Sequence, residues 1–156
     1  MHISSILSTA FIATKLQAET KEEALNSMVN MLETSPKVIT LEKVRMAILE
    51  REKIMSTGVG HGFAIPHGKT DAISDITAAF AITAQPLDFD SLDDQPVRLI
   101  FMLVGNDSHV GAHLKLLSRV SRLMNSDSFR SQLLQATSPE QVLELFRQEE
   151  GRYFAT

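Results

Sequence analysis

The first third of the chain contains two stretches in which apolar residues recur every three or four positions, the spacing of one helix face. The first face comprises Ala24, Leu25, Met28, Val29 and Leu32. Thr20 and Glu23 form a capping box before it, and Pro36 lies beyond its end, where proline cannot extend a helix. The second face comprises Leu41, Val44, Ile48 and Leu49. We predict two helices here, the second capped by Thr40, and a short strand from Phe11 to Leu16 before both.

The middle of the chain has the composition of strands and loops. Residues 76–83 and 97–104 are rich in β-branched and apolar side chains, which is typical of buried strands. Between residues 58 and 68, four glycines fall within eleven positions. So many glycines argue against a helix and favour close approaches between backbone segments.

The last third of the chain predicts three more helices. The third helix begins near His109 or Val110, and its packing face comprises Leu114, Leu117, Val120 and Leu123. Phe129, Leu133 and Leu134 indicate a fourth helix. Ser138, Pro139 and Gln141 open a fifth, with serine as the cap, proline at the first helical position and glutamine completing the box. The order of elements favours an α/β (α+β) fold, a single domain over residues 1–156 in which a mixed sheet carries helices on both faces.

Composition excludes several classes of function. The chain has 156 residues, 44% apolar and 22% charged, as expected for one globular domain. A net charge of -4 does not suggest a nucleic-acid surface, and no apolar run approaches the roughly 20 residues that cross a bilayer. No lysine or arginine precedes the N-terminal apolar stretch, so we expect no export signal and a cytoplasmic protein. The absence of cysteine excludes disulfides and thiolate chemistry.

Candidate chemistry concentrates on His67. Pro66 and Gly68 flank it, so the backbone is stiff on one side and open on the other. A neutral imidazole is a competent nucleophile, and phosphorylation of a ring nitrogen gives a labile phosphoramidate. The sequence does not show which nitrogen would react.

A phosphoryl site also needs donors around the phosphoryl oxygens. The chain offers the Arg51 guanidinium, the Thr57 hydroxyl, backbone N–H groups near Gly68 and a second histidine such as His113.

The segment from Arg51 to Lys69 resembles the active-site stretch of the fructose/mannitol-type IIA proteins of the bacterial phosphoenolpyruvate-dependent phosphotransferase system. The resemblance continues through residues 86–89, 96–101 and 113–118. The sequences Ser-Thr-Gly at residues 56–58 and His-Gly-Lys at residues 67–69 are most similar to those of the nitrogen-regulatory branch.

This resemblance implies that His67 accepts a phosphoryl group and that His113 assists it without being phosphorylated. Arg51 and Thr57 would line the site, and no cofactor would be needed. The donor would be a histidine-phosphorylated carrier protein, and the chain alone would turn over no small molecule. Two outputs stay open: a nitrogen-type regulatory role through target proteins, or transport of a fructose/mannitol-class sugar through a IIB domain.

Two departures from the family pattern are visible. His61 stands where relatives often carry Asn or Glu, and we expect its side chain to point outward. Residues 104–109 lack the proline that commonly follows the strand in this family, so the sequence does not predict the geometry of the loop before His113.

Other hypotheses about the function also stay open. One alternative is a metal site formed by His67, His109 and His113, since the last two would share a helix face. However, no glutamate follows His109 as in the helix of zinc proteases. A domain that keeps the fold but acts only by binding is a further alternative. The intact set of Arg51, Thr57, His67 and His113 disfavours it. Around the histidine, Phe63, Ile65 and Phe89 would meet partners or belong to the core. The acidic run at residues 88–94 would be a solvated loop or meet a basic partner.

Overall fold

A computed structural model of the protein describes residues 2–154. Within them one mixed sheet contains β1 (Ile12–Leu16), β2 (Gly58–Gly60), β3 (Phe63–Ala64), β4 (His67–Lys69), β5 (Thr77–Leu87) and β6 (Val97–Gly105). The strand order is β1-β5-β6-β3-β2, and β4 also pairs with β6. The central pair β5 and β6 is antiparallel, whereas β1 runs parallel to β5, and both β3 and β4 run parallel to β6. The predicted mixed sheet is therefore confirmed.

Six α-helices surround the sheet in the described part of the chain. They are α1 (Ile3–Ile6), α2 (Lys21–Met31), α3 (Leu41–Ile54), α4 (Val110–Met124), α5 (Asp127–Gln135) and α6 (Pro139–Tyr153). The five predicted helices are confirmed as α2 to α6, and α1 was not predicted. No helix among residues 2–154 combines the length and apolar character needed to span a membrane.

The alternation of side chains along β5 and β6 divides the core into two layers. Phe80 and Phe101 pack with α1, α4, α5 and α6 on one face of the sheet. Ala81 and Ile100, each one residue away, pack with α2 and α3 on the other face. Helices therefore cover both faces, as the sequence predicted.

All three predicted N-cap residues precede their helices, and two of them cap with their side chains. The Thr20 hydroxyl accepts the N–H of Glu23 at 3.1 Å, and the Ser138 hydroxyl accepts the N–H of Gln141 at 3.2 Å. Thr40 is the N-cap residue of α3, as predicted, but its side chain makes no capping hydrogen bond. The backbone N–H of Thr40 is instead directed to the Ala72 carbonyl, which fixes the entry to α3.

Three further interpretations change with the structure. Leu114 was assigned to the packing face of α4 but is 60% exposed, because Leu116 lies on the face that packs with Val120 and Leu123. Phe63, Ile65 and Phe89 are all buried, so they belong to the core and do not face partners. The acidic loop is only partly solvated, since Phe89 and Ser91 are buried within it.

Candidate functional site

His67 is the first residue of β4, a three-residue strand held firmly on β6. The Leu103 N–H donates to the Pro66 carbonyl and the Thr70 N–H donates to the Gly105 carbonyl, each at 3.0 Å. Gly68 lies against α3, and a Cβ at this position would be 3.0 Å from the backbone of Ala47. Glycine therefore allows β4 to pack closely on α3 and fixes the backbone position of His67.

One ring nitrogen of His67 forms a hydrogen bond with the backbone. Its Nδ1 lies 2.9 Å from the Ile65 carbonyl oxygen. Because a carbonyl only accepts hydrogen bonds, Nδ1 carries the hydrogen, and Nε2 of the neutral ring carries the lone pair. Burial lowers the pKa of His67; the Ile65 hydrogen bond opposes this effect, and the positive charge of Arg51 adds to it. The ring is thus held in its nucleophilic, neutral form.

His113 brings a second imidazole to the same place. It lies in the first turn of α4, and its ring centroid is 5.7 Å from that of His67. The side chain is 2% exposed, and its Nδ1 has no hydrogen-bond partner among the described residues. Gly105 makes room for the ring, because a Cβ there would be 2.2 Å from this Nδ1. Burial, then the charges of His67 and Lys69, lower the pKa of His113 to about 4.

Stability should depend on pH through this residue. In the unfolded chain a histidine has a pKa near ~6.5, so between that value and about 4 the unfolded state binds the additional proton. The contribution of His113 to the free energy of unfolding should therefore be fully present above that range of pH. The free energy of unfolding should then fall by up to about 3 kcal/mol as the pH drops through the range. Urea unfolding at several pH values measures this slope. His113→Gln should flatten it, and an unchanged slope in that variant would contradict the assignment.

Arg51 lies in the last turn of α3, beside His67. Its Nη1 donates to the Met55 carbonyl at 2.9 Å, which closes the end of the helix and leaves other guanidinium N–H groups available. A depression of about 540 Å³ joins the site residues. It is lined by Ala47, Glu50, Arg51, Ile54, His67, Gly68, Lys69, Asp107, His113, Leu114 and Leu117. The structure thus brings Arg51, His67, Gly68 and His113 together.

Thr57 does not line this depression. Its hydroxyl oxygen is 2.8 and 2.9 Å from the two carboxylate oxygens of Glu52, which also accept the Thr57 N–H. Glu52 is 7% exposed, and its other partner is the ammonium of Lys21 at 3.2 Å. Support of the phosphate site by Thr57 stays a prediction, and any such support would be indirect. Through Glu52, Thr57 ties the residues after α3 to the helix that carries Arg51.

Glu52 should contribute strongly to stability. Glu52→Gln replaces a carboxylate that only accepts by an amide whose NH₂ group cannot accept from the Thr57 N–H and hydroxyl. We expect the free energy of unfolding to fall by about 2–4 kcal/mol, since one partner of a buried ionic group is lost. Urea unfolding measures the change. Glu50→Gln, on an exposed position of the same helix, is the control and should stay within about 0.5 kcal/mol of the parent; equal effects of the two substitutions would refute this role.

The remaining histidines lie outside the site. His61 is exposed in the turn between β2 and β3, with φ of 56°, and its N–H donates to the Asp93 carboxylate, so the expected outward orientation is confirmed. His109 is exposed at the residue before α4. No group of three or more His, Cys, Asp or Glu residues within residues 2–154 is placed to hold a metal ion. The structure therefore gives no support to the metal alternative.

The loop before His113 is ordered without a proline. The Asn106 side-chain oxygen accepts the Ser108 N–H at 2.9 Å, and its amide donates to the Ile73 carbonyl at 2.8 Å. The Asn106 carbonyl then accepts the N–H of His109 at 3.0 Å. This one asparagine joins the end of β6 to the start of α4 and so sets the position of His113.

Comparison with known families identifies this arrangement. Residues 5–149 match the family model described as "Phosphoenolpyruvate-dependent sugar phosphotransferase system, EIIA 2". The chain belongs to this EIIA-2 family. The resemblance inferred from the motif of Arg51 to Lys69 is thereby confirmed at the level of the family.

Both branches of the family occur among the relatives. A fructose-specific EIIA component of Haloferax volcanii is 38% identical over 90% of this chain and 91% of its own length. A nitrogen regulatory protein of Escherichia coli is 32% identical over 97% of this chain and 93% of its own. The chain is 34% identical to a fructose-specific EIIABC component of Bacillus subtilis but spans 23% of that longer protein.

Solved structures of relatives share the fold. The nitrogen regulatory protein IIA-Ntr of Neisseria meningitidis superposes with a TM-score of 0.87 at 32% identity, covering 92% of this chain and 98% of that one. The mannitol IIA of Escherichia coli gives a TM-score of 0.75 at 26% identity, with 89% and 97% covered. Sequence identity is higher to the fructose-specific EIIA than to the nitrogen regulatory protein of Escherichia coli, whereas the TM-score is higher to IIA-Ntr than to mannitol IIA. The chain is therefore similar to both branches of the EIIA-2 family.

Proposed function

We propose that this protein is a phosphocarrier in which Nε2 of His67 accepts a phosphoryl group from a histidine-phosphorylated carrier protein. The observation that carries this proposal is the hydrogen bond from His67 Nδ1 to the Ile65 carbonyl, which leaves Nε2 as the free nucleophile beside His113. Membership of the EIIA-2 family supports the same assignment.

The transfer balances without a cofactor. The lone pair of His67 Nε2 forms the new N–P bond while the N–P bond of the donor breaks and its electron pair returns to the donor imidazole. The proton on His67 Nδ1 stays in place, because the Ile65 carbonyl holds it throughout. A phosphohistidine intermediate results, and reversal of the same step passes the group to an acceptor.

Two neighbours are suited to stabilise the phosphoryl oxygens during this step. Arg51 offers guanidinium N–H groups that its bond to Met55 does not use. His113 stays neutral in the site, so its ring presents one donor and is not an additional cation. Gly68 contributes by placing the strand, as Ala47 leaves no space for a side chain there.

Exposed apolar side chains surround the depression and suit protein docking. Ile54 is 80% exposed, Met55 64%, Leu114 60% and Val110 43%. Large apolar side chains at the surface are typical of protein interfaces. Ile54 and Leu114 line the depression with His67, while Met55 directly follows α3 and Val110 begins α4. The carrier protein would dock here, and the acceptor would use the same surface in turn, since both need the same nitrogen.

The acceptor separates the two candidate outputs. The similarity to IIA-Ntr in fold, with a TM-score of 0.87, favours a regulatory output through target proteins. The fructose-specific relatives favour transfer to a IIB domain for sugar uptake, and the Bacillus subtilis relative combines A, B and C components in one chain.

The proposed function is tested by reconstitution. The protein is mixed with labelled phosphoenolpyruvate, the general phosphotransferase enzyme and the carrier protein, and an acid-labile label on this chain is the expected result. Adding a fructose-type IIB domain then shows whether the label moves on, which supports the transport output, or stays, which supports the regulatory one. Absence of label on the chain in the complete mixture would overturn the phosphocarrier assignment.

A further inference from the structure

We propose that Lys69 is a further residue of the phosphoryl site, whose ammonium group contacts the phosphoryl oxygens on His67 and neutralises part of their charge. This inference rests on the proposed function and adds a catalytic residue to it. Arg51 is the other cation suited to contact these oxygens, and part of its guanidinium is engaged by the Met55 carbonyl at the end of α3.

The geometry of β4 places Lys69 beside His67. Side chains two residues apart on a strand project from the same face, so His67 and Lys69 share one face while Gly68 between them faces Ala47 of α3. Both side chains line the same depression. The register of β4 on β6, in which His67 pairs with Leu103 and Lys69 with Gly105, fixes this relation in the backbone.

Lys69 is also available for an anion. Its side chain is exposed and forms no ion pair or hydrogen bond with the other described residues. A free lysine is a flexible point charge, which suits a phosphoryl group that arrives and leaves.

The charges around the depression create a need for such a cation. A phosphoryl group carries about −1.5 to −2 charges near neutral pH. Glu50 and Asp107 line the same depression and would repel it. The positive charge of Lys69 reaches both rings, since it is among the causes that lower the pKa of His67 and the pKa of His113.

The test compares Lys69→Gln with Lys15→Gln in the reconstituted phosphorylation assay. Lys15 is an exposed lysine on β1, a strand at the edge of the sheet far from β4 in the strand order, and it matches Lys69 in residue type and setting. We expect Lys69→Gln to slow transfer to His67 about tenfold and to shorten the lifetime of the phosphohistidine, since a cation close to the transferred group is lost. Lys69→Arg should retain most of the rate, and Lys15→Gln should behave as the parent.

A second readout separates direct charge from a structural effect. NMR titration of the histidine ring protons should show the pKa of His113 and the pKa of His67 rising in Lys69→Gln and not in Lys69→Arg. Equal transfer rates in Lys69→Gln and Lys15→Gln would overturn the role of Lys69, provided that the parent is labelled and His67→Ala is not. Loss of label in the parent, or full label in His67→Ala, would overturn the proposed function itself and this inference with it.

Discussion

Replacing His67 by alanine is expected to abolish phosphorylation of this chain by the carrier protein. The reason is chemical, because alanine removes the Nε2 lone pair that the hydrogen bond of His67 Nδ1 to the Ile65 carbonyl leaves free in the depression. His113 cannot substitute for it, since the imidazole of His113 is 2% exposed and is not accessible to a docked donor. Transfer should therefore fall to background and not to a reduced rate. The measurement is the label retained by the chain in the presence of phosphoenolpyruvate, the general enzyme and the carrier protein.

The matched control for this substitution is His61→Ala. His61 belongs to the same glycine-rich segment but is exposed in the turn between β2 and β3. The His61→Ala variant should be labelled to the same extent as the parent. Undiminished label in His67→Ala would place the acceptor elsewhere, and His2, His109 and the other histidines would then have to be tested in turn.

His113→Ala is expected to slow transfer by about 10²- to 10³-fold while His67 stays the site of the label. A preorganised donor beside the transferred group stabilises the charge spread over its oxygens without reorganisation during the step. The ring of His113 is preorganised in this sense, because it is buried between α4 and Gly105 and lies 5.7 Å, centroid to centroid, from His67. Rapid-mixing measurement of the labelling rate gives the size of the effect.

Two controls accompany this variant. His109→Ala removes a histidine one turn earlier at the start of the same helix, where the side chain is exposed, and should leave the rate unchanged. Urea unfolding of His113→Ala shows whether the fold survives loss of a buried ring. A folded His113→Ala protein with the parental rate would remove His113 from the mechanism.

The architecture could be predicted because it rests on periodicity. The helical spacing around Ala24, the β-branched and apolar runs of β5 and β6, and the Ser138-Pro139 start of α6 are local signals that tertiary packing reinforces. Short elements lack this support. The four residues of α1 are too few to show a period, and β3 has two residues whose pairing with β6 exists through tertiary contacts alone.

Side-chain directions were predicted less well. Leu114 and Leu116 are both compatible with an apolar face of α4, and the packing of α4 on the sheet decides between them. Thr40 has the residue type of a cap, but the position of its backbone against Ala72 left its hydroxyl without that role. Such choices depend on contacts between distant segments, which one sequence does not display.

Four of the residues singled out in the sequence, Arg51, His67, Gly68 and His113, meet in one depression, but their connections were not predicted. The tautomer of His67 required the position of the Ile65 carbonyl. Glu52 was overlooked because a glutamate in an amphipathic helix usually faces water, whereas here it binds Thr57 and Lys21. The placement of Lys69 on the same side of the sheet as His67 could have been predicted from the two-residue alternation of a strand, had β4 been recognised as one.

The most direct test of the account identifies the nitrogen that carries the phosphoryl group. The chain is produced with nitrogen-labelled histidine, phosphorylated by the carrier protein and examined by NMR for coupling between phosphorus and the imidazole nitrogens. We expect coupling to Nε2 of His67, with the Nδ1 proton still donated to the Ile65 carbonyl. Coupling to Nδ1 of His67, or to a ring nitrogen of any other histidine, would contradict it.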